Sequence, residues 1–532
     1  MSQWRKNLYP LSLSFLFLVV ISLPFLFAVS TSNNEYIFSG FLNNPLDGNS
    51  YLAKMYQGWR GDLRFRLPYT SESGDGGYIN MFYLIAGHFT RFFHLPLLGV
   101  FHLFRIMGAS FLAWSLWAFY GKTLPDDGTK KLAFSISLFG SGMGWILLTT
   151  DVFTADFWVS EAFPFLSSYT NSHFPLGLAL ILYLIVPGSC SNWKPYLAFI
   201  PAFILGIVSP FGITITLVVL GGTSLISITQ AISQQQINSI SEAWSFVDRR
   251  ILWILLGGGP ILVYDYWIIF SDPILSGWNT QNLTSSPPLW DLVISTSPCF
   301  ILAVVGCWQL IRNRRRTNSS TLNVLCDEPG NTLLVWIVVG IGLVYFPFSL
   351  QRRFMMGLFI PIAGLAAYGF DQVIGKSQRS RQLWLTLLIV FSVTTNVVVV
   401  LAGIGASASR DSKIFLTMGE DQAFTWIESK TPLDALILAS PEIGLWIPAH
   451  TGRRVIYGHP FETVNAEAEE NAVLSFFTGE LDITEQKEFL SSRGIDYVFY
   501  GLREQALGTP AVIGSLELVF DSAGVSLYEV HP

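Results

Sequence analysis

The chain has 532 residues, of which 51% are hydrophobic and only 13% charged, with a formal net charge of −6. Soluble domains carry about 25% charged residues, so composition excludes a wholly soluble protein, and the absence of a basic domain gives no pointer to nucleic acid. The four cysteines, Cys190, Cys299, Cys307 and Cys326, show neither metal spacing nor a disulfide framework.

A helix that crosses a membrane needs roughly 20 apolar residues. Apolar segments of this kind fall near 8–29, 97–120, 132–149, 174–188, 195–208, 212–230, 251–270, 289–311, 332–350, 355–374 and 382–405, which predicts about eleven spans. The first follows Arg5 and Lys6 and reads as a retained anchor in preference to a signal peptide cleaved after Ala28-Val-Ser30. Pro195 to Thr229 carries no charge. One helix of that length would run about 50 Å, against a hydrocarbon core of roughly 30 Å, so a break is expected at Ser209-Pro210-Phe211-Gly212.

Lysine and arginine in the short loops set the orientation. Arg5 and Lys6 put the N-terminus in the cytoplasm. Lys122, Lys130, Lys131, Lys194, Arg249, Arg250, Arg312, Arg314, Arg315, Arg316, Lys376, Arg379 and Arg381 then also fall inside, as does the polar loop 230–245, while 271–288, without Lys or Arg, falls outside. This parity holds if Tyr78 to His94, which carries Asn80, His88, Arg91 and His94, lies on the outer surface as an amphipathic helix. Residues 30–96 are then one long external loop, and 1–410 form the membrane domain. Residues 411–532 read as a small external α/β domain, with a helix over Asp421 to Ser429 and strands at Ala435 to Ala439, Arg454 to Tyr457, Tyr497 to Tyr500 and Val525 to Val530. The expected location is the plasma or inner membrane.

The external loop is the first place to look for chemistry. Asp47, in Asn-Pro-Leu-Asp-Gly-Asn-Ser, precedes an expected helix Tyr51 to Gly58. Either Asp47 or Asn49 caps that helix, or Asp47 is a general base that takes a proton from a hydroxyl near the bilayer surface. Arg352 and Arg353 land at the outer end between two spans, against the positive-inside tendency, and such a pair asks for a local anion. They are either headgroup anchors or partners of that anion. A second acidic site lies at 150–173, with Asp151, Asp156, Glu161 and His173. The spacing of Asp151 and Asp156 admits a divalent metal without favouring one. His173 reads first as an interfacial or capping residue, and Asp265 as either a solvated interface residue or, if the resemblance described below holds, a donor-pocket residue. His88, His94 and His102 make no ligand set, and Gly257-Gly-Gly-Pro260 is a helix-packing stretch, not a phosphate loop. Thr451-Gly-Arg-Arg454 and Gly458-His-Pro-Phe-Glu462 read as turns, with contact to an acceptor or to the external loop as the alternative.

The stretch NPLDGNSYLAKMYQGWRGD resembles the first external loop of the GT-C class of membrane glycosyltransferases, in the manner of a divergent bacterial-type member of the protein O-mannosyltransferase and aminoarabinose transferase-like superfamily. The matching positions are Asp47, Tyr51, Ala53, Met55, Gly61 and Asp62, followed by the aromatic helix Tyr78 to Phe93 and by Arg105. The family often has an acidic residue after the aspartate, where this chain has Gly48. Ser73-Gly-Asp-Gly-Gly77 stands where some branches carry a Lys-Pro-Pro segment. The resemblance implies a polytopic α-helical GT-C-like membrane protein with a small C-terminal α/β domain. It also implies a hexosyl or pentosyl transferase that moves a sugar from a polyprenyl-phosphate donor to a glycan, lipid or protein acceptor at the outer face. In that reading Asp47 is the base, Arg352 and Arg353 hold the donor phosphate, and Tyr51, Asp62, Glu72, Asp156 and His173 shape the substrate site. No cofactor and no metal are required. The alternative is a non-enzymatic lipid or polysaccharide transporter, or an assembly scaffold. A transporter would favour ionisable groups at mid-membrane and a pseudo-repeat, whereas these polar residues gather at the outer surface.

Overall fold

The computed structural model describes residues 3–186, 194–233, 235, 239–316, 330–374 and 378–531. Cys190, Cys326, Lys376 and two of the three consecutive glutamines of the 230–245 loop lie outside the described residues. Among the described residues, seven helices are long and apolar enough to cross a membrane: Leu8–Thr31, Leu97–Thr123, Asp127–Thr150, Pro210–Ser233, Arg250–Ser271, Gln351–Val373 and Gln378–Ser409. A further pair, Leu289–Thr296 and Cys299–Asn313, passes the same test together but bends by 90°. The chain is an integral membrane protein.

Each apolar segment read from the sequence contains helix among its described residues, but the one expected at 132–149 leaves the α-helix at Phe139 and resumes as a 3-10 helix at Gly144, and three others come out short. His173–Ile185, Pro195–Val208 and Asn331–Val344 are apolar helices of 10–17 residues. At 1.5 Å per residue they run about 15–25 Å, less than the roughly 30 Å hydrocarbon core. The segment expected at 332–350 stops being helical at Val344. The segment expected at 289–311 is broken at Ser297-Pro298, where proline has no N–H to give to a helix. The expected break near Pro210 is real: Ser209 is extended, closing Phe199–Val208, and Pro210 opens the next helix.

The chain divides into two compact units. The first comprises Met1–Leu23, Leu103–Val263 and Thr284–Ala402. Its most enclosed span is Gln351–Val373, with 94% of its apolar window buried. Arg105 is buried here, its guanidinium donating to the carbonyls of Ile21 and Ser168 at 3.0 Å each.

The second unit comprises Pro24–His102, Tyr264–Leu283 and Gly403–Pro532, so the first loop and the C-terminal residues pack as one body. Strand β1 (Tyr36–Phe38) pairs antiparallel with β2 (Phe415–Thr417), in a register that sets Phe38 opposite Phe415. A five-stranded sheet follows, built from β3 (Leu436–Leu438), β4 (Arg454–Val455), β5 (Tyr497–Tyr500), β6 (Glu517–Ser522) and β7 (Val525–Glu529), in the order β4-β3-β5-β7-β6. β3 is parallel to β4 and β5, while β7 is antiparallel to β5 and β6. Apolar cores cover both faces, one around Ile437, Trp446 and Phe499, the other around Leu438, Phe476 and Val498. The edge strand β4 is covered by the first loop: Val455 N–H donates to the Pro68 carbonyl at 3.2 Å, and the Arg454 guanidinium donates to the Ser71 carbonyl.

The expected helix Tyr51 to Gly58 is longer, running Pro45–Arg60. It packs against Met81–Phe93, the amphipathic helix of 13 residues, which is about 20 Å long and too short to cross. The approach is close because it runs through glycines. A Cβ on Gly58 would lie 2.1 Å from the Leu84 carbonyl oxygen, and one on Gly87 would lie 2.0 Å from that of Met55. Ile85, Phe92 and Phe93 stay exposed.

Candidate active site

The helix that carries Asp47 is capped by neither of the expected residues. Asn44, in the left-handed conformation, is the N-cap, and its Oδ1 accepts from the Asp47 N–H at 3.3 Å. Asn44 also donates its Nδ2 to the Asp47 carboxylate at 2.6 Å. Asn49 points back to the Pro45 carbonyl at 2.8 Å. Asn-Pro is a natural start, since proline at the first helical position lacks only an N–H that has no partner there. The Asp47 carboxylate therefore stands in the first turn, where the helix dipole favours negative charge, and its side chain is 40% exposed.

Next to it lies a buried polar cluster built from two distant parts of the chain. The Lys54 ammonium is 2.6 Å from Glu462 Oε1, and the Ser50 hydroxyl donates to the same oxygen at 2.5 Å. Lys54 also donates to Ser50 Oγ at 2.9 Å and sits 5.3 Å from the Tyr51 ring centroid. Burial works to raise the Glu462 carboxyl, but the Lys54 cation and the hydrogen bonds outweigh it and hold the group below its usual value. His459 is buried on the same turn, its Nε2 3.9 Å from Asp47 Oδ1. Burial pushes the His459 imidazole below its usual value, against the pull of Glu462 and Asp47. The turn Gly458 to Glu462 is thus both a turn and a contact to the first loop.

The other candidates of the first loop are spread along it. Tyr51 stacks on Tyr83 with centroids 4.4 Å apart and planes 10° apart. Asp62 lies just past the far end of the helix that begins beside Asp47, about 22 Å along its axis, where it pairs with Arg60 at 2.5 Å. Glu72 is exposed beyond the Ser71 carbonyl that receives Arg454. The structure brings Tyr51 into the neighbourhood of Asp47 and Lys54, but not Asp62. His88 and His102 are each held to a backbone carbonyl, of Asp62 at 3.0 Å and Gly40 at 3.1 Å. Asp265 is half-buried within the span Arg250–Ser271.

In the first unit, the anion that the arginine pair asks for is Glu161. Its Oε1 lies 3.4 Å from Arg353 Nη1 and 3.7 Å from Arg352 Nε. Arg352 also lies over the Trp158 ring, 4.9 Å from its centroid. Two guanidiniums, 22% and 34% exposed, gather on one carboxylate that is 5% exposed. The loop and the span are tied by backbone as well, with Gly357 N–H donating to the Glu161 carbonyl at 2.9 Å. Asp156 is held apart from this group, its carboxylate accepting from the Thr154 hydroxyl at 2.5 Å and from the Gly144 N–H at 3.1 Å. Burial raises it to about 6 in spite of those bonds. His173 opens its helix half-buried, its ring 4.0 Å from that of Phe174. Among the described residues, no group of three or more His, Cys, Asp and Glu side chains is placed to hold a metal ion.

Sequence reading missed Lys54, and treated His459, Glu161 and Glu462 only as members of polar stretches. A lysine at the centre of a helix facing aromatic residues, four positions after Ser50, was the one local signal.

No family model and no curated protein sequence matches the chain. Solved structures do match in fold. The apo oligosaccharyltransferase of Archaeoglobus fulgidus superposes with a TM-score of 0.55 at 12% identity, over 99% of this chain and 75% of that one. The oligosaccharyltransferase AglB of the same organism, in complex with an inhibitory peptide and a dolichol-phosphate, gives 0.50 at 12% identity, over 93% and 70%. ArnT of Cupriavidus metallidurans in the apo state gives 0.50 at 8% identity, over 96% and 97%. The chain has the fold of the GT-C membrane glycosyltransferases.

Proposed function

We propose that the protein is a glycosyltransferase that moves a hexosyl or pentosyl group from a polyprenyl-phosphate-linked donor to a hydroxyl of a glycan, lipid or protein acceptor. Transfer takes place at the non-cytoplasmic face of the plasma or inner membrane, with the N-terminus cytoplasmic and the 411–532 region external. Asp47 takes the acceptor proton. Arg352 and Arg353 meet the charge left on the departing phosphate, which guanidinium binds through paired hydrogen bonds. Tyr51, with the stacked Tyr83, offers an aromatic wall to a sugar ring, and the reading requires no metal.

The observation that carries it is the arginine pair. Two partly exposed guanidiniums gathered on a single carboxylate, at the start of the most enclosed span, are placed to take a second anion. The fold supports the same reading, as does the dolichol-phosphate bound by the similar AglB. The test is transfer by purified protein in lipid nanodiscs, supplied with radiolabelled polyprenyl-phosphate sugars and a panel of glycoside acceptors. Transfer by the wild type and its loss in Asp47→Asn, with insertion and yield unchanged, is the expected result. Unaltered transfer by Asp47→Asn removes Asp47 as the base.

A further inference from the structure

We propose that Asp47 and His459 together form the seat of the acceptor hydroxyl, with His459 in direct contact with its oxygen. The inference rests on the transferase reading and deepens it.

The geometry of the imidazole fixes its role. His459 is 2% exposed. Its Nδ1 accepts from the Phe461 backbone N–H at 3.1 Å. A backbone amide only donates, so in the neutral ring the proton sits on Nε2. Burial favours that neutral ring. Nε2 has no hydrogen-bond partner among the described residues, although buried donors are ordinarily paired. The anion it faces is Asp47 Oδ1 at 3.9 Å. That gap is too long for a hydrogen bond, and short enough for one oxygen to lie about 2.8 Å from both atoms.

The two sides of the gap differ in what they offer. His459 presents an N–H donor and Asp47 an acceptor. A hydroxyl is the simplest group that accepts and donates through a single atom. Asp47 is 40% exposed, so the seat is open on its side. Lys54 and Ser50 are positioning residues. By holding Glu462 they fix the turn that carries His459 against the helix that carries Asp47. The turn is also closed on itself, with the His459 carbonyl accepting from Glu462 N–H at 3.1 Å and Thr463 N–H at 2.9 Å.

In the step, the acceptor oxygen forms a bond to the anomeric carbon of the donor sugar. The bond from that carbon to the phosphate oxygen breaks, and its electron pair leaves on the phosphate. The hydroxyl proton passes to Asp47. His459 keeps its own proton, occupying one lone pair of the oxygen and leaving the other to attack.

Two measurements on the full chain in nanodiscs test this. In the first, histidine nitrogens are isotope-labelled, the His459 signal is assigned by its loss in His459→Gln, and methyl mannoside and methyl arabinofuranoside are titrated in. The expected result is an Nε2-protonated neutral signal that shifts with at least one of these probes. In the second, transfer is followed in wild type, His459→Phe and His459→Gln, all checked for folding by size exclusion. The acceptor KM is expected to rise about tenfold in His459→Phe, with the donor KM unchanged and partial recovery in His459→Gln, whose amide restores a donor. A wild type that transfers while the His459 signal and the acceptor KM ignore both probe and substitution overturns the inference and leaves the transferase reading standing. A shifting signal in a wild type that transfers nothing supports the hydroxyl seat and removes the transferase reading. No shift and no transfer removes both.

Discussion

The Lys54 ammonium and the Glu462 carboxylate lie 2.6 Å apart, both buried, one from the helix that carries Asp47 and the other from the turn that carries His459. Each charge is tolerated in that place only because of the other. The Ser50 hydroxyl completes the shell of the carboxylate oxygen they share.

Lys54→Met alone, or Glu462→Met alone, is expected to destabilise the second unit by about 3–5 kcal/mol, because each strands the opposite charge. The double substitution should recover most of the loss. Thermal unfolding midpoints of the two single variants and the double variant, measured in one detergent, check this. A double variant worse than either single one contradicts it.

The contact between the two helices of the first loop allows no Cβ. Gly58→Ala and Gly87→Ala each place a methyl about 2 Å from a backbone oxygen, and overpacking of this kind costs about 1–3 kcal/mol. Both variants should show faster hydrogen exchange in Pro45–Arg60 and Met81–Phe93, while exchange in the five-stranded sheet stays as in the wild type.

Arg353→Gln removes the closer of the two guanidiniums at Glu161 and with it one positive charge. Affinity for a short polyprenyl phosphate should fall about tenfold. Glu161→Gln should act in the opposite direction on phosphate binding, since it removes a carboxylate that competes for both guanidiniums. Binding of a fluorescent polyprenyl phosphate to nanodiscs reads both, and equal affinity in all three proteins would take the phosphate away from this pair.

Stability should fall on acidification in a window set by buried histidines. Burial holds His450 down from 6.5 to about 4, and His459 is also lowered. A group whose folded value is depressed contributes fully above its unfolded value and loses that contribution as pH drops towards the folded one, because the unfolded chain takes up the proton first. For His450 the window runs from about 6.5 down to about 4, with a loss on the order of 3 kcal/mol. His450 is stacked near Phe424, so His450→Leu should flatten the profile of unfolding midpoint against pH in that window. An unchanged slope would exclude His450 as its source.

The membrane helices were legible because a span needs only length and apolarity, and the break before Pro210 followed from the charge-free stretch being too long for one helix. The shortfalls have equally local causes. Asn44 takes the cap from Asp47 because Pro45 is suited to the first helical position. Pro298 bends the pair beginning at Leu289 in a run whose composition looks continuous. β1 and β2 have three residues each, too few for any alternation to register. The arginine pair was legible by its position against the charge rule, and so was its need for an anion. Which anion was not, because Glu161 reaches it through tertiary packing. His459 and Asp47 were each visible as polar residues in turn-like surroundings. Their facing one another depends on a salt bridge between Lys54 and Glu462 that no spacing in the sequence announces.

The pairing of Phe38 with Phe415 has a bearing on how the molecule is made. A ribosome adds about 5–20 residues per second, so the stretch around Phe38 leaves it on the order of tens of seconds before the strand it must join. During that interval the Asp47 segment has the Met81–Phe93 helix to pack on but neither its β partner nor the Glu462 turn. A chain whose synthesis stops before Phe415 would carry nearly all of its membrane anchors and still lack the strand and the turn that complete the fold around that segment.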